Sequence, residues 1–220
     1  MLSYRHAFHA GNFADVLKHS VLTLVLEYMT RKNKAFSYLD SHAGAGMYQL
    51  QDAFAQKTGE YKESIDKLIH LNNLPEALLP YINIIKQLNT SKLSLYPGSP
   101  GIAKHLLRKQ DNAQLFELHP SDVKLLNEFC QRWRKATVDQ SNGYQGILKL
   151  LPPVSRRGVV LIDPPYEIKS DYQQAVQTII EAYKKFATGT YILWYPVVKR
   201  TLIDDMQTMF TNSKLKNVLQ

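Results

Sequence analysis

Cysteine is almost absent from this sequence: one residue, Cys130, in 220. A single thiol closes no internal disulfide and builds no cysteine metal cluster, which fits a reducing compartment. Cys130 lies in a helical pattern with Phe129 and Trp133 and reads as a core residue. Long apolar runs are also missing. None approaches the roughly 18 residues of a membrane helix. The N-terminus has Arg5 and His6 but no apolar signal core, so the chain is expected in the cytoplasm. Acids are scarce, 19 against 27 Lys and Arg, for a net charge of +8. That imbalance points to a polyanionic partner such as nucleic acid. Hydrophobic content of 45% and charged content of 21% exclude disorder as the main state. The length suits one domain with a full core, with room for an insertion.

The most informative stretch is Val159-Val160-Leu161-Ile162-Asp163-Pro164-Pro165-Tyr166. Four apolar, mostly β-branched residues predict a strand buried on both faces, as in the middle of a parallel sheet. Neither proline offers a backbone N–H, so the strand stops there. Asp163 and Tyr166 then stand on a stiff loop at the carboxyl end of a central strand, where open α/β sheets bind ligands. An exocyclic amine of a base can donate to the Asp163 carboxylate and the Pro164 carbonyl, while its ring stacks on Tyr166. A plain strand terminator is the competing reading, since Asp-Pro often opens turns.

Residues 1–13 have no clean period. Tyr4, Arg5, His6 and His9 suit contact with RNA, or the segment tucks against the domain through Tyr4, Phe8 and Phe13. His6, His9 and His19 have no acidic or cysteine partner at ligand spacing, so no metal is expected. From Asp15 the period becomes helical, with an apolar stripe of Val16, Leu17, Ser20, Val21, Leu24, Val25 and Tyr28. Lys18 and His19 then fall beside the stripe. Phe36–Asp40 reads as a strand, and Gly44 and Gly46 form the turn after it. This is not the G-x-G-x-x-G dinucleotide pattern. With Asp40 and the later Asp-Pro-Pro-Tyr it points to S-adenosylmethionine rather than NAD.

The next strand, Gln114–Leu118, begins more than 70 residues after Asp40, whereas a βαβ unit needs about 30 in total. Residues 47–96 are therefore expected to be an inserted helical subdomain, with helices near 61–71 and 76–88. The sheet-bearing domain is expected to span 1–46 and 97–220. Ser99 caps a helix over 102–108, with Pro100 in its first turn. Glu117 ends the second strand, where an acid can hold both ribose hydroxyls of a nucleotide-like cofactor. A helix from His119 through Arg132 and a short strand at 136–139 follow. Asn142-Gly143 is a turn, either reaching the cofactor's adenine or simply reversing the chain. After Tyr166 come a helix over 171–186, a strand over 190–195 stopped by Pro196, and a helix over 197–210. The tail near Leu215–Leu219 looks like the start of another strand.

These blocks resemble the bacterial 23S ribosomal RNA large-subunit methyltransferase family that acts on adenine N6. The resemblance covers nearly the whole chain. It rests on Met-Leu-Ser-Tyr-Arg-His-Ala-Phe-His-Ala-Gly-Asn at the start, Asp-Val-Leu-Lys-His at 15–19, Leu-Asp-Ser-His-Ala-Gly-Ala-Gly at 39–46 and Tyr-Pro-Gly-Ser-Pro at 96–100. It continues with Glu-Leu-His-Pro-Ser-Asp at 117–122, Pro-Pro-Val-Ser-Arg-Arg-Gly at 152–158, Asp-Pro-Pro-Tyr at 163–166 and Trp-Tyr-Pro-Val-Val at 194–198.

The resemblance implies an α/β fold: a Rossmann-like class I methyltransferase domain with a helical insertion. It implies S-adenosylmethionine against Lys18, His19, His42, Ser99, Glu117, Asn142-Gly143 and Asp163, and Tyr4 at the RNA substrate. The implied partner is 23S ribosomal RNA, with no membrane and no metal, and the chain is expected to act as a monomer. Two departures stand out. The family carries Asp-Gly where this chain has Asn142-Gly143, and it continues with a final strand pair whose first strand falls at Gln220. A DNA adenine methyltransferase, a protein-amide methyltransferase and a non-catalytic RNA-binding protein are the alternatives. The retained Asp163, Tyr166 and glycine loop count against the last.

Overall fold

The computed structural model describes residues 5–219. In chain order its elements are α1 (Phe13–Thr30), β1 (Ser37–Asp40), β2 (Met47–Gln49), α2 (Ala53–Thr58), α3 (Ile65–Leu68), α4 (Leu79–Leu88), β3 (Leu95–Pro97) and α5 (Ser99–Leu106). There follow β4 (Asn112–Phe116), α6 (Pro120–Cys130), β5 (Ala136–Asp139), α7 (Gly143–Leu150), β6 (Gly158–Ile162), α8 (Ser170–Lys185), β7 (Thr190–Leu193) and α9 (Arg200–Asn212). Five strands form a parallel sheet in the order β5-β4-β1-β6-β7. The order reverses at β1, so the crevice beyond β1, β4 and β6 is the topological switch point where such sheets bind ligands.

The central strands are buried along their length: β6 as its apolar run requires, β1 with its polar ends, Ser37 and Asp40, buried as well. One face packs Tyr38, Leu115, Val159 and Leu161 against α1, α5 and α6. The other packs Leu39, Phe116, Val160 and Ile162 against α7 and α8. The long connection between β1 and α5 is spanned by α2, α3 and α4, and its ends are tied by the antiparallel pair β2–β3. Tyr81, Ile82 and Ile85 of α4 share one packed cluster with Leu22 and Leu26 of α1 and with the sheet. The helix expected over 61–71 is shorter: a 3-10 turn at Glu60–Glu63 and then α3.

Three expectations need correction. The apolar stripe read on α1 is split: Leu17, Val21, Leu24 and Tyr28 are exposed, whereas Val16 and Val25 pack against the core and Ser20 is buried. The buried residues of α1 are Asp15, Lys18, His19, Ser20, Leu22, Thr23, Leu26 and Met29. Lys18 and His19 therefore lie in the core side of the helix, because their polar atoms find partners there. Ser99 is the first residue of α5 rather than its cap, a position taken by Gly98. Residues 214–219 form turns and bends rather than a strand, although Leu215 still packs against the α7–α8 side.

Candidate active site

A cleft of about 650 Å³ opens at the carboxyl ends of the central strands. It is within the usual range for small-molecule sites. Of the residues singled out in the sequence, Lys18, His19, His42, Gly44, Ser99, Glu117, Asn142, Gly143, Asp163, Pro164 and Tyr166 all line it. Gly46 does not. It sits behind the turn at φ +79°, where a Cβ would meet Phe129 at 2.7 Å, and its carbonyl accepts from the Gly98 N–H at 3.1 Å. Tyr4 lies outside the described residues.

Asp163 leaves the end of β6 toward the cleft, and Lys18 of α1 donates to its Oδ2 at 2.5 Å. Lys18 also bridges to Asp15 Oδ1 at 3.1 Å, and the other Asp15 oxygen meets the His6 ring at 2.9 Å and the Gly11 N–H at 2.9 Å. Burial alone would lower the Lys18 pKa, but the carboxylates of Asp163 and Asp15 hold it well above the usual lysine range. The ammonium stays charged although it is buried. Burial works to raise the Asp15 pKa, yet the His6, Lys18 and His19 charges hold it well below the ordinary carboxylate range. A buried pair of this kind rarely adds net stability, since the desolvation cost offsets the attraction. The pattern is better explained by what it holds: one Asp163 oxygen fixed by Lys18, and Oδ1 left without a hydrogen-bond partner among the described residues.

Tyr166 sits at φ 55°, a left-handed conformation uncommon for an aromatic residue. Its hydroxyl donates to the Trp194 carbonyl at 2.5 Å, and its ring leans on Tyr172 with centroids 4.5 Å apart. The side chain is thus anchored to the end of β7, with part of its surface on the cleft.

The other wall is built around two acids. Glu117, one residue past β4, accepts from the Gly44 N–H at 2.8 Å and the His119 N–H at 2.7 Å. Burial pushes its pKa up, against those two backbone donors. Gly44 is required here. At φ +60° a Cβ would lie 2.2 Å from the Tyr48 hydroxyl. Asp40 is the second acid, fully buried at the end of β1. It accepts from Ser99 Oγ at 2.6 Å, Tyr38 Oη at 2.7 Å and the His42 N–H at 3.2 Å. Burial raises its pKa to about 6 despite these donors. Asp40 ties β1, α5 and the glycine turn together. An acid closing a buried strand was its only sequence signal.

His42 pairs with Ser41 Oγ at 2.7 Å, and its ring meets Tyr144 edge-on at 5.0 Å. His19 pairs with the Tyr96 hydroxyl at 2.8 Å. Asn142 caps α7, its Oδ1 accepting from the Gln145 N–H at 3.2 Å. Gly143 packs on the backbone of Ser41, where a Cβ would lie 1.9 Å from the carbonyl oxygen. The segment before α1 is tucked in. Arg5 reaches Asp122 at 3.0 Å, Phe8 meets Phe54 edge-on, and His9 pairs with Glu60 at 2.9 Å. Phe13, expected to help, is exposed.

Comparison with known proteins places this architecture. A family model described as ribosomal RNA large subunit methyltransferase D, RlmJ, matches residues 33–220. The chain is 53% identical over 221 residues to a curated Escherichia coli protein named ribosomal RNA large subunit methyltransferase J, covering 100% of this chain and 79% of that one. A Haemophilus influenzae protein of the same name is 54% identical over 202 residues, covering 91% of this chain and 72% of the relative. The crystal structure of protein LPL1258 from Legionella pneumophila superposes with a TM-score of 0.87 at 42% identity, covering 93% of this chain and 76% of that one. With the Rossmann-like sheet and the Asp-Pro-Pro-Tyr loop at its carboxyl end, the chain belongs to the ribosomal RNA large subunit methyltransferase D, RlmJ, family.

Proposed function

We propose that this protein transfers a methyl group from S-adenosylmethionine to the N6 amine of an adenine in 23S ribosomal RNA. The observation that carries this reading is Asp163, on its proline-stiffened loop, facing the same cleft as Glu117 and the Gly44 turn. The names of the two curated relatives support ribosomal RNA as the substrate class. Three features fit the cofactor. Glu117 at the end of β4 suits ribose hydroxyls, the closely packed Gly44 and Gly143 turns bring backbone to the cleft, and the volume is adequate. Asn142 still offers its side-chain amide near the cleft while capping α7. When bound, S-adenosylmethionine supplies an electrophilic methyl group on a sulfonium.

The residues of the chain do the rest. The Asp163 carboxylate and the Pro164 carbonyl accept the two hydrogens of the exocyclic amine, which turns the nitrogen lone pair out of conjugation and toward the methyl donor. Lys18 holds Oδ2 of Asp163, so the free Oδ1 meets the amine in a fixed direction. An alkylated, cationic nitrogen gives up its proton readily, and Asp163 receives it directly or through one water. Tyr166 offers a ring edge or face at the rim of the site, anchored through its hydroxyl.

Incubation with radiolabelled S-adenosylmethionine and separate pools of protein-free 23S rRNA, genomic DNA and total protein tests this reading. Label in the rRNA pool, recovered as N6-methyladenosine after digestion, is the expected result. Label in DNA or protein alone would overturn it.

A further inference from the structure

Each helix of a doubly wound sheet runs back against the strands and ends where the next strand begins. Helices α1, α5, α6, α7 and α8 therefore end beside the starts of β1, β4, β5, β6 and β7, at the side of the sheet opposite the cleft. The stretches that join them, taken with the last two residues of α8, are 31–36, 107–111, 131–135, 151–157 and 184–189. Every one carries at least two cations. Together they hold twelve of the chain's 27 Lys and Arg against one acid, Asp111. That acid is buried and bound to Arg108. The remainder of the chain then has 15 Lys and Arg against 18 Asp and Glu. The net charge of +8 is thus not spread over the molecule, and the part that contains the cleft is net acidic.

Helix ends attract cations, so the clustering could be local compensation. The magnitudes decide against that. Five helix C-termini supply about −0.5 charge each, roughly −2.5 together. The excess at this end is eleven positive charges, twelve cations less one acid. Strand order sets the five stretches side by side, at about 4.8 Å per strand, as a stripe roughly 20 Å long. Ten of its twelve cations are exposed. Arg108 and Arg157 are half-buried and donate to backbone carbonyls near Lys32 and Lys34. A dent of about 200 Å³ lies in the stripe, lined in part by Arg31, Lys32, Arg157, Thr188 and Thr190. Three cations and two hydroxyls around a small hollow match a phosphate group.

We infer that this end of the molecule docks the phosphate backbone of RNA at a second surface, distinct from the catalytic cleft. The inference rests on the proposed RNA substrate and adds where that RNA is held. The strands are four or five residues long, so stripe and cleft are separated by about 15 Å of sheet plus loops. An RNA that touches both must wrap around the side of the domain. The surface therefore acts on long rRNA and leaves a short oligonucleotide unaffected.

The test is a variant with Arg31→Gln, Lys32→Gln, Arg132→Gln, Arg134→Gln and Lys135→Gln, all at exposed positions away from the cleft. A matched variant with Arg→Lys at the same three arginines keeps the charge. Affinity for protein-free 23S rRNA is measured across a salt series, alongside methylation of a short RNA carrying the adenine mapped with wild-type enzyme. The Gln variant should bind long rRNA roughly tenfold or more weakly, with a shallower dependence of log K on log salt, as expected when phosphate contacts are lost. The Lys variant should stay near wild type, and short-RNA methylation should hold in both. Unchanged affinity and salt slope in the Gln variant would overturn the inference and leave the catalytic reading intact. Unchanged RNA affinity with weaker binding to polyglutamate would assign the surface to an acidic protein and also overturn it. If wild-type enzyme methylates no RNA, the catalytic reading fails, and the rRNA affinities still judge the surface separately.

Discussion

At the scale of single residues, Lys18 separates two acids with different duties. Asp15 is buried and bound by Lys18, His6 and the Gly11 backbone. Asp163 keeps one oxygen on Lys18 and faces the cleft. Asp15→Ala should cost about 3–5 kcal/mol of stability, the usual penalty for stranding a buried charge. Asp163→Asn should cost less, because Asp15 still neutralises Lys18, and should lower single-turnover methylation by about 10²–10⁴-fold. Melting temperature and turnover on the same samples check both. An Asp163→Asn protein that is destabilised yet methylates at the wild-type rate per folded molecule would return Asp163 to a purely structural role. Glu117 carries a third expectation. Glu117→Ala should weaken S-adenosylmethionine by about 1–3 kcal/mol, the cost of losing charged hydrogen bonds. Unchanged affinity by calorimetry in a folded variant would remove it from the cofactor site.

Among the elements, legibility followed how plainly burial was written in apolar residues. β6 was readable because Val159–Ile162 is buried on both faces and the prolines mark its end. β5 and α8 were readable from length and period. α1 was not. It carries apolar residues on both faces, and its inner face also holds Asp15, Lys18, His19 and Thr23, so hydrophobicity alone does not pick the buried side. Those polar residues face inward because partners from the chain start, β3 and the β6 loop satisfy them. No local pattern records partners 77 or 145 residues away. The role of Asp40 as a buried tie was hidden for the same reason: one donor, Ser99, comes from α5, 59 residues on, and the other, Tyr38, lies two residues back on the same side of its own strand. The face assignment of α1 is directly testable. Leu22→Ala or Leu26→Ala should cost about 2–5 kcal/mol as cavity-forming changes. Leu17→Gln or Val21→Gln should stay within about 0.5 kcal/mol. Denaturant unfolding of the four variants decides. Equal losses on both faces would show that the outer stripe is covered in solution.

For the molecule as a whole, three buried groups set how stability responds to acid. Burial holds the His19 pKa down to about 3, helped by Lys18 and opposed by Asp15. Burial likewise holds His42 down to about 4, opposed by Asp163. Both histidines ordinarily titrate near 6.5. Below that pH the unfolded chain binds protons that the folded protein refuses, so stability falls as pH drops. Asp40 acts in the other direction. Raised by burial from 3.8 to about 6, it keeps a proton in the folded state that the unfolded chain has released, so its own contribution weakens as pH rises through that window. Each fully differing group contributes roughly 1 kcal/mol per pH unit. Two histidines against Asp40 leave a net loss of roughly 1 kcal/mol per unit on going down from about pH 6, lessened toward pH 4 by Glu117 and Asp171, which burial also raises. Asp15 and Asp111, whose pKa values are lowered, add their losses only below the ordinary carboxylate range. Between pH 7 and pH 5 the melting temperature should therefore drop by several degrees, at roughly 2–4 °C per kcal/mol for a chain of this size. His19→Gln keeps a partner for the Tyr96 hydroxyl and removes one histidine, so the remaining histidine and Asp40 nearly cancel. Its melting temperature should change little over the same interval. An acid-induced drop in His19→Gln as large as in the wild type would show that the buried histidine does not govern the response.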